Sequence, residues 1–248
     1  MATIQRRRLI LSNATSVDPD QVIYDLNPVR NWDVTKSNLI NLNGSNVVSI
    51  ADTQSGVLAS QSVASSQPLL TTDANGRPVI RFDGNNDFLS ADDFYQSAIT
   101  VYTVSRSIGG TGQQHILRKG LSAINGELEY LLRYDNATTI AGFINASATL
   151  SRTISVTNGG IHLSSLNYDN SSLSVTVNGS NSSISATGNL QNGASTLRIG
   201  ASRVDDTPNS SPTFVLNGDI YQILIFPYSL GVIQDTTVIN RLIAKHNL

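Results

Sequence analysis

Only two glutamates occur in the 248-residue chain, Glu127 and Glu129. On an extended strand two positions share a face about 7 Å apart, near the separation of about 5–5.5 Å that two carboxyl groups need in retaining glycoside hydrolysis. Leu128 between them and Tyr130-Leu131-Leu132 after them continue an alternating strand. The expectation is therefore a solvent-facing pair on a strand edge. A second group of oxygens comes from Asp83, Asn85 and Asp87, at alternate positions around Gly84. Hard cations such as calcium are held by oxygens of this kind, but Asp-Gly-Asn-Asn-Asp is equally good turn chemistry without an ion. Both readings stay open here. The three histidines, His115, His162 and His246, have no metal-ligand spacing, and no Gly-x-Ser-x-Gly elbow accompanies them. They are expected to be ordinary surface or strand residues.

The elements that would carry these groups are strands. Arg77 to Leu89 reads as a strand through Phe82, a reversal at Asp83-Gly84 and a return strand from Phe88. Leu39–Leu42 and Val47–Ile50 flank Asn43-Gly44, a hairpin signal. Further runs at Ala98–Ser105, His115–Arg118 and Glu127–Tyr134 have strand character, the last with the two-residue period of a half-buried strand. Others follow at 139–144, 160–168, 173–177 and 196–199, with Asn-Gly turns at Asn158, Asn178 and Asn192. Leu216 to Phe226 is a long strand. After it, Val238, Ile239, Leu242 and Ile243 have helical spacing behind Asp235 as N-cap. Ahead of all this, residues 1–34 contain Pro19, Pro28, the basic run Arg6, Arg7 and Arg8, and the single Trp32, with Ile23, Tyr24 and Leu26 able to supply a short strand.

Composition narrows the class. Charged residues make up only 14% of the chain, the net charge is −2 and there are no cysteines. A disulfide framework and a Cys-ligated zinc site are excluded, and a nucleic-acid surface is not expected. No apolar run approaches the ~18 residues of a membrane helix, and Leu9-Ile10-Leu11 is too short for a signal-peptide core. Many short strands with Asn-Gly turns indicate a β-sandwich or jelly roll.

Two stretches carry a resemblance to a known family. Val48-Ser49-Ile50-Ala51-Asp52, Ser55-Gly56, Gln67-Pro68, Gly76-Arg77-Pro78 and Arg81-Phe82-Asp83-Gly84, with Asp87-Phe88-Leu89, resemble the front half of laminin-G-like domains. These belong to the concanavalin A-like lectin/glucanase superfamily. The closing Gly218-Asp219-Ile220-Tyr221-Gln222-Ile223-Leu224-Ile225-Phe226 and Ser229-Leu230 are similar to that family's last strand and the step after it. Ile50 stands where such sequences tend to carry Trp.

The resemblance implies an all-β, two-sheet antiparallel β-sandwich (a concanavalin A-like jelly roll) over residues 35–248, with an extended N-terminal arm over 1–34 and a short C-terminal helix. It also implies that Asp205 and Asp206 would join Asp83 and Asp87 if calcium were bound. The family's hydrolases place an Asp between their glutamates and a further Glu downstream, and Leu128 breaks that pattern, so no enzyme is expected. The Gln-Pro step and the Phe-Asp-Gly stretch resemble domains of tailed-phage structural proteins. The expected role is thus a non-enzymatic virion protein made in a host cytoplasm, for capsid decoration or the tail. It would be homo-oligomeric and docked on other virion proteins through Arg6, Arg7, Arg8 and Trp32. The alternative is a module recognising cell-surface glycans, with Tyr102, Tyr130, Tyr134, Tyr168, Tyr221 and Tyr228 as aromatic platforms.

Overall fold

The structure is a computed structural model that describes residues 18–110, 112–120, 128–193, 195–202 and 212–248. The described chain begins with helix α1 (Gln21–Tyr24) and strand β1 (Arg30–Asp33), then β2 (Ile40–Asn43), β3 (Asn46–Ala51), β4 (Leu58–Ser60), β5 (Leu69–Thr72), β6 (Pro78–Asp83) and β7 (Leu89–Ala91). Next come β8 (Ile99–Ser107), β9 (Gln114–Gly120), β10 (Leu128–Asn136), β11 (Thr139–Asn145), β12 (Thr149–Ser155) and β13 (His162–Tyr168). The chain closes with β14 (Ser172–Val177), β15 (Ser180–Ser185), β16 (Leu197–Ile199), β17 (Asn217–Phe226) and helix α2 (Val232–His246).

The long strand β17 organises one layer. It pairs with β8 along one edge, and on its other edge with β6 through its first half and β1 through its second. Outward from β8 follow β13, β14 and β15, all antiparallel. The second layer runs β12, β11, β10, β9, β16, β7, β4, β3 and β2. Strand β5 pairs with β6 and touches β3, joining the layers at one side. This is a lectin-like β-sandwich with a C-terminal helix laid on one outer face.

Strand β17 feeds two cores at once. A bulge opposite β8 after Ile220 resets the alternation, so Ile220, Ile223 and Ile225 enter the core between the sheets, while Tyr221, Leu224 and Phe226 face the helix side. There they meet Tyr102 and Val104 of β8 and Val238 and Leu242 of α2. A β-rich chain with one amphipathic helix thereby buries both faces of its central sheet. The helix starts earlier than expected. Gly231 is its N-cap, and Asp235 lies in the first turn, where it accepts the Tyr102 hydroxyl. His246, at the end of α2, is buried, bonds Gln222 Oε1 through Nε2 at 2.9 Å and packs edge-on to Tyr221. Burial holds its pKa down to about 4, so it is neutral near pH 7.

Several expectations change. β6 and β7 do not form a hairpin; β6 pairs with β17 and β5, β7 with β16 and β4, so the Asp83–Phe88 turn carries the chain from one layer to the other. Gly84 has φ +80° there, and a Cβ on it would stand 2.9 Å from Asn217 Cβ. Ile23, Tyr24 and Leu26 do not make a strand: 21–24 is helical, and the strand is Arg30–Asp33. Strand β10 is buried on both faces through Leu132 rather than half-buried.

The segment expected as a docking arm also divides differently. Arg6, Arg7 and Arg8 lie outside the described residues. Trp32 is 2% exposed in this chain's own inter-sheet core, and its indole N–H donates to the Val57 carbonyl at 3.2 Å. Its ring is therefore not presented to a neighbouring subunit. Asp20 accepts Arg241 and Lys245 of α2 at 2.8 and 2.9 Å, and β1 is part of the sheet. The described part of residues 1–34 belongs to the sandwich.

Candidate functional site

The outer face of the second sheet is built by strand register. Ser60, Ser90, Arg198, Arg118, Leu131 and Phe143 lie opposite one another across six consecutive strands, β4, β7, β16, β9, β10 and β11. In the adjoining row Arg133 stands opposite His115 and Ala141. Alternation along β10 sends Tyr130, Leu132 and Tyr134 into the core and leaves Leu131 and Arg133 on this face.

The cations of this face are stacked on rings and tied to backbone. The Arg133 guanidinium lies 4.3 Å from the centroid of Phe143, donates to Gln113 Oε1 at 2.9 Å and pairs with Asp135 at 2.6 Å. That of Arg198 lies 4.1 Å over Phe88 and donates to the Ser202 carbonyl at 3.3 Å. Arg118 donates to Ser202 Oγ at 2.8 Å and to the Gly120 carbonyl at 2.9 Å. Arg198 and Arg118 are buried, 1% and 6% exposed, so of the three only Arg133 presents part of its guanidinium, a planar fork suited to oxygen-rich groups, toward solvent.

Beside them sits the most unusual pair on this face. Phe214 has φ +51°, a left-handed backbone that costs a bulky L-residue on the order of 1–3 kcal/mol. Its ring stacks on His115 with centroids 5.1 Å apart and planes 17° from parallel, and its carbonyl accepts the His115 backbone N–H at 2.8 Å. The ring remains half exposed, at 50%. His115 beneath is buried, with neither ring nitrogen hydrogen-bonded among the described residues. Burial first, then the nearby Arg118 and Arg133 charges, push its pKa well below the usual histidine value, so it is a neutral ring. The result is a two-ring stack whose outer member, Phe214, is a half-exposed residue.

The residues singled out from sequence lie elsewhere. All but one of the six candidate tyrosines are buried, and Tyr228 is partly buried with its hydroxyl on the Leu26 carbonyl. Glu129 is not solvent-facing: a bulge in β10 places it against the buried Lys119, 2.5 Å away, and it also accepts the Gly193 N–H at 3.0 Å. Burial outweighs Lys119 and pushes its pKa up to about 7. Glu127 lies outside the described residues, as do Asp205 and Asp206. All three histidines are buried; His115 and His162 are strand residues of β9 and β13, as one of the two expected readings had it, and His246 ends helix α2.

The Asp83–Asp87 loop is turn chemistry. Asp83 Oδ1 accepts the N–H groups of Asn85 and Asn86 at 2.8 and 3.3 Å, Asp87 Oδ2 accepts the Asp83 N–H at 3.0 Å, and the Asn85 amide donates to Asp83 Oδ2 at 3.1 Å. Asn85 thus turns a donor, not an oxygen, toward Asp83. Among the described residues no group of three or more His, Cys, Asp or Glu side chains is placed to hold a metal ion, and in this arrangement the oxygens of Asp83 and Asp87 are spent on the loop's own N–H groups.

Burial, then the Asp83 charge, raise the Asp87 pKa from 3.8 to about 7. The folded state therefore keeps a proton that the unfolded chain releases, and stability falls as pH rises from about 4 to 7. Asp87→Asn is expected to stabilise the protein at pH 8 by about 1–2 kcal/mol, read as a higher melting midpoint. A lower midpoint, or one rescued by calcium only in the parent, would restore the ion to this loop.

Fold and site together define a lectin-like β-sandwich with an aromatic and cationic sheet face. No protein-family model matches the sequence, and no curated protein sequence does either. Among solved structures, a sialidase of Trypanosoma rangeli in complex with sialic acid is similar at TM-score 0.55 and 16% identity over 84% of this chain, which spans 32% of that one. The same enzyme with a difluorinated ligand gives TM-score 0.55 and 16% identity over 88% and 33%. The carbohydrate-binding module of a Ruminococcus gnavus sialidase, bound to α2,3-sialyllactose, follows at TM-score 0.47 and 11% identity over 58% and 82%. At these identities the likeness is one of fold.

Proposed function

We propose that this chain is a non-catalytic glycan-binding module whose ligand lies on the outer face of the second sheet. The observation that carries this reading is the half-exposed Phe214 ring, held in a strained backbone by its stack on His115. Strain of this kind persists where the surroundings over-determine it, often at ligand clamps. A fixed aromatic ring offers the apolar face of a pyranose a contact that costs little ordering, and the adjoining Arg133 and Gln113 supply polar groups for hydroxyls. The non-catalytic part of the reading is supported by the fate of the carboxylates near this face. Glu129 is taken by Lys119 and Asp135 by Arg133.

A place on a phage particle, made in the host cytoplasm, rests on the resemblance of the Phe-Asp-Gly stretch and the closing strand. Within this proposal it would make the same face an adhesive one, with homo-oligomerisation adding avidity.

The test is a glycan array probed with the labelled chain, with sialyllactose and neutral oligosaccharides both present. Binding to a defined set is expected, and Phe214→Ala should weaken it at least about tenfold, the 1–2 kcal/mol of a lost aromatic contact. Phe214→Trp should retain it. Glycan binding that ignores both substitutions would move the site off this face.

A further inference from the structure

Helix α2 carries two stripes. Val238, Leu242 and His246 are its buried side against the sandwich, and Arg241 and Lys245 on one flank are held by Asp20. At 3.6 residues per turn, Ile233, Thr236, Asn240, Ile243 and Asn247 line up on the side turned away from the sheet, at alternating steps of three and four. All five are exposed and none is charged. Steps of three and four are the spacing of a seam between two packed helices. At its head, Val232 and Ile233 are 84% and 82% exposed, the most exposed large apolar residues among those described. Apolar side chains grouped at the surface in this way mark a site of association.

We propose that a second copy of this chain docks on the stripe, its own α2 running antiparallel about a two-fold axis. With the axis level with Val238, Ile233 of one copy lies beside Ile243 of the other and Thr236 beside Asn240, each contact made twice. Ile243, with Ile239 and Leu248, also walls a groove of about 350 Å³ between α2 and β13–β14. That recess receives the partner's Ile233. Charge favours a second copy over an unlike partner. A two-fold axis sets a surface against itself, which an uncharged seam tolerates without repulsion. The charged side chains of α2 are already engaged within the chain: Asp235 with Tyr102, Arg241 with Asp20, and Lys245 with Asp20 and Asp33. One helix of 15 residues is a small interface, so the dissociation constant is expected on the order of 10–100 µM. The pairing does not rest on the glycan reading. Helix α2 lies on the first sheet, so the Phe214 surface of the second stays open in both copies.

Sedimentation equilibrium of the full chain across that concentration range is expected to show monomer and dimer in exchange. Ile233→Glu changes a side chain that is exposed in the single chain, so it should keep the parent's melting midpoint. It should weaken association at least about tenfold, because each dimer loses two buried apolar side chains. The chain has no cysteines, so Thr236→Cys and Asn240→Cys report the register. Mixed together, these two variants should cross-link to each other through a short bismaleimide faster than either does to itself. A monomer throughout the range, association unchanged by Ile233→Glu, or cross-linking confined to like variants would each overturn the proposal.

Discussion

Asp219→Ala is expected to lower the unfolding free energy by about 3 kcal/mol, which for a chain of this size moves the melting midpoint down by roughly 6–12 °C. Asp219 is fully buried near the start of β17, and the register places Arg81 of β6 and Arg106 of β8 directly opposite it on either side. Its Oδ1 accepts Arg81 Nε at 2.7 Å, and its Oδ2 accepts Arg81 Nη2 at 3.1 Å together with Arg106 Nη2. Removing the carboxylate leaves two guanidinium groups facing each other across one strand without their shared anion. Because both retain some exposure, Arg81 about a third and Arg106 a fifth, water relieves part of the cost. The estimate therefore sits at the lower end of what breaking a buried pair costs. Thermal unfolding measures it, and a loss below about 1 kcal/mol would mean the row acts as an ordinary surface pair.

A larger effect is expected from truncation, and it separates two lengths that the sequence treats as one arm. A chain lacking residues 1–34 should fail to fold, whereas one lacking 1–17 should fold with the same strand content. The first deletion removes Trp32, worth about 3–5 kcal/mol as a buried aromatic. It also removes the β1 ladder to β17, the Asn31 side-chain bond with Gln222 at 2.8 Å, and the Asp20 and Asp33 anchors of Lys245. Together these reach the whole margin of about 5–15 kcal/mol by which domains are stable. Far-ultraviolet circular dichroism and gel filtration of the two truncations decide it. A folded, monomeric chain lacking 1–34 would return residues 18–34 to the status of a detachable arm.

Local chemistry was legible in the sequence, and long-range pairing was not. The Asn178-Gly179 turn sits where expected because both residues accept positive φ, 47° and 85°, and a two-residue reversal of that kind needs no tertiary help. The closing strand was equally plain, since the second half of β17, Ile223 to Phe226, is an unbroken apolar run buried on both faces. Strand β15, Ser-Asn-Ser-Ser-Ile-Ser, was invisible because it lies at a sheet edge with its polar residues in water. The Asp83-Gly84 reversal has the local chemistry of a hairpin turn, yet nothing within β6 or β7 states that their partners are β17 and β16.

The candidate site fared worse for the same reason. Phe214 has no signal of its own: its strain and its platform arise from His115, some hundred residues earlier in the chain. The tyrosines drew attention by type, and strand alternation then turned them inward. Glu129 looked solvent-facing from a period of two, until a bulge opposite β9 set it beside Lys119.

In the proposed glycan site, Phe214 on His115 forms the floor. The most direct test is a binding isotherm for the strongest array ligand, measured by calorimetry on the parent and on Phe214→Ala, with both shown to have the same melting midpoint within error. Saturable one-site binding is expected, weakening at least about tenfold in the variant. Equal affinity in the two proteins, or no binding by either to any oligosaccharide, would contradict it.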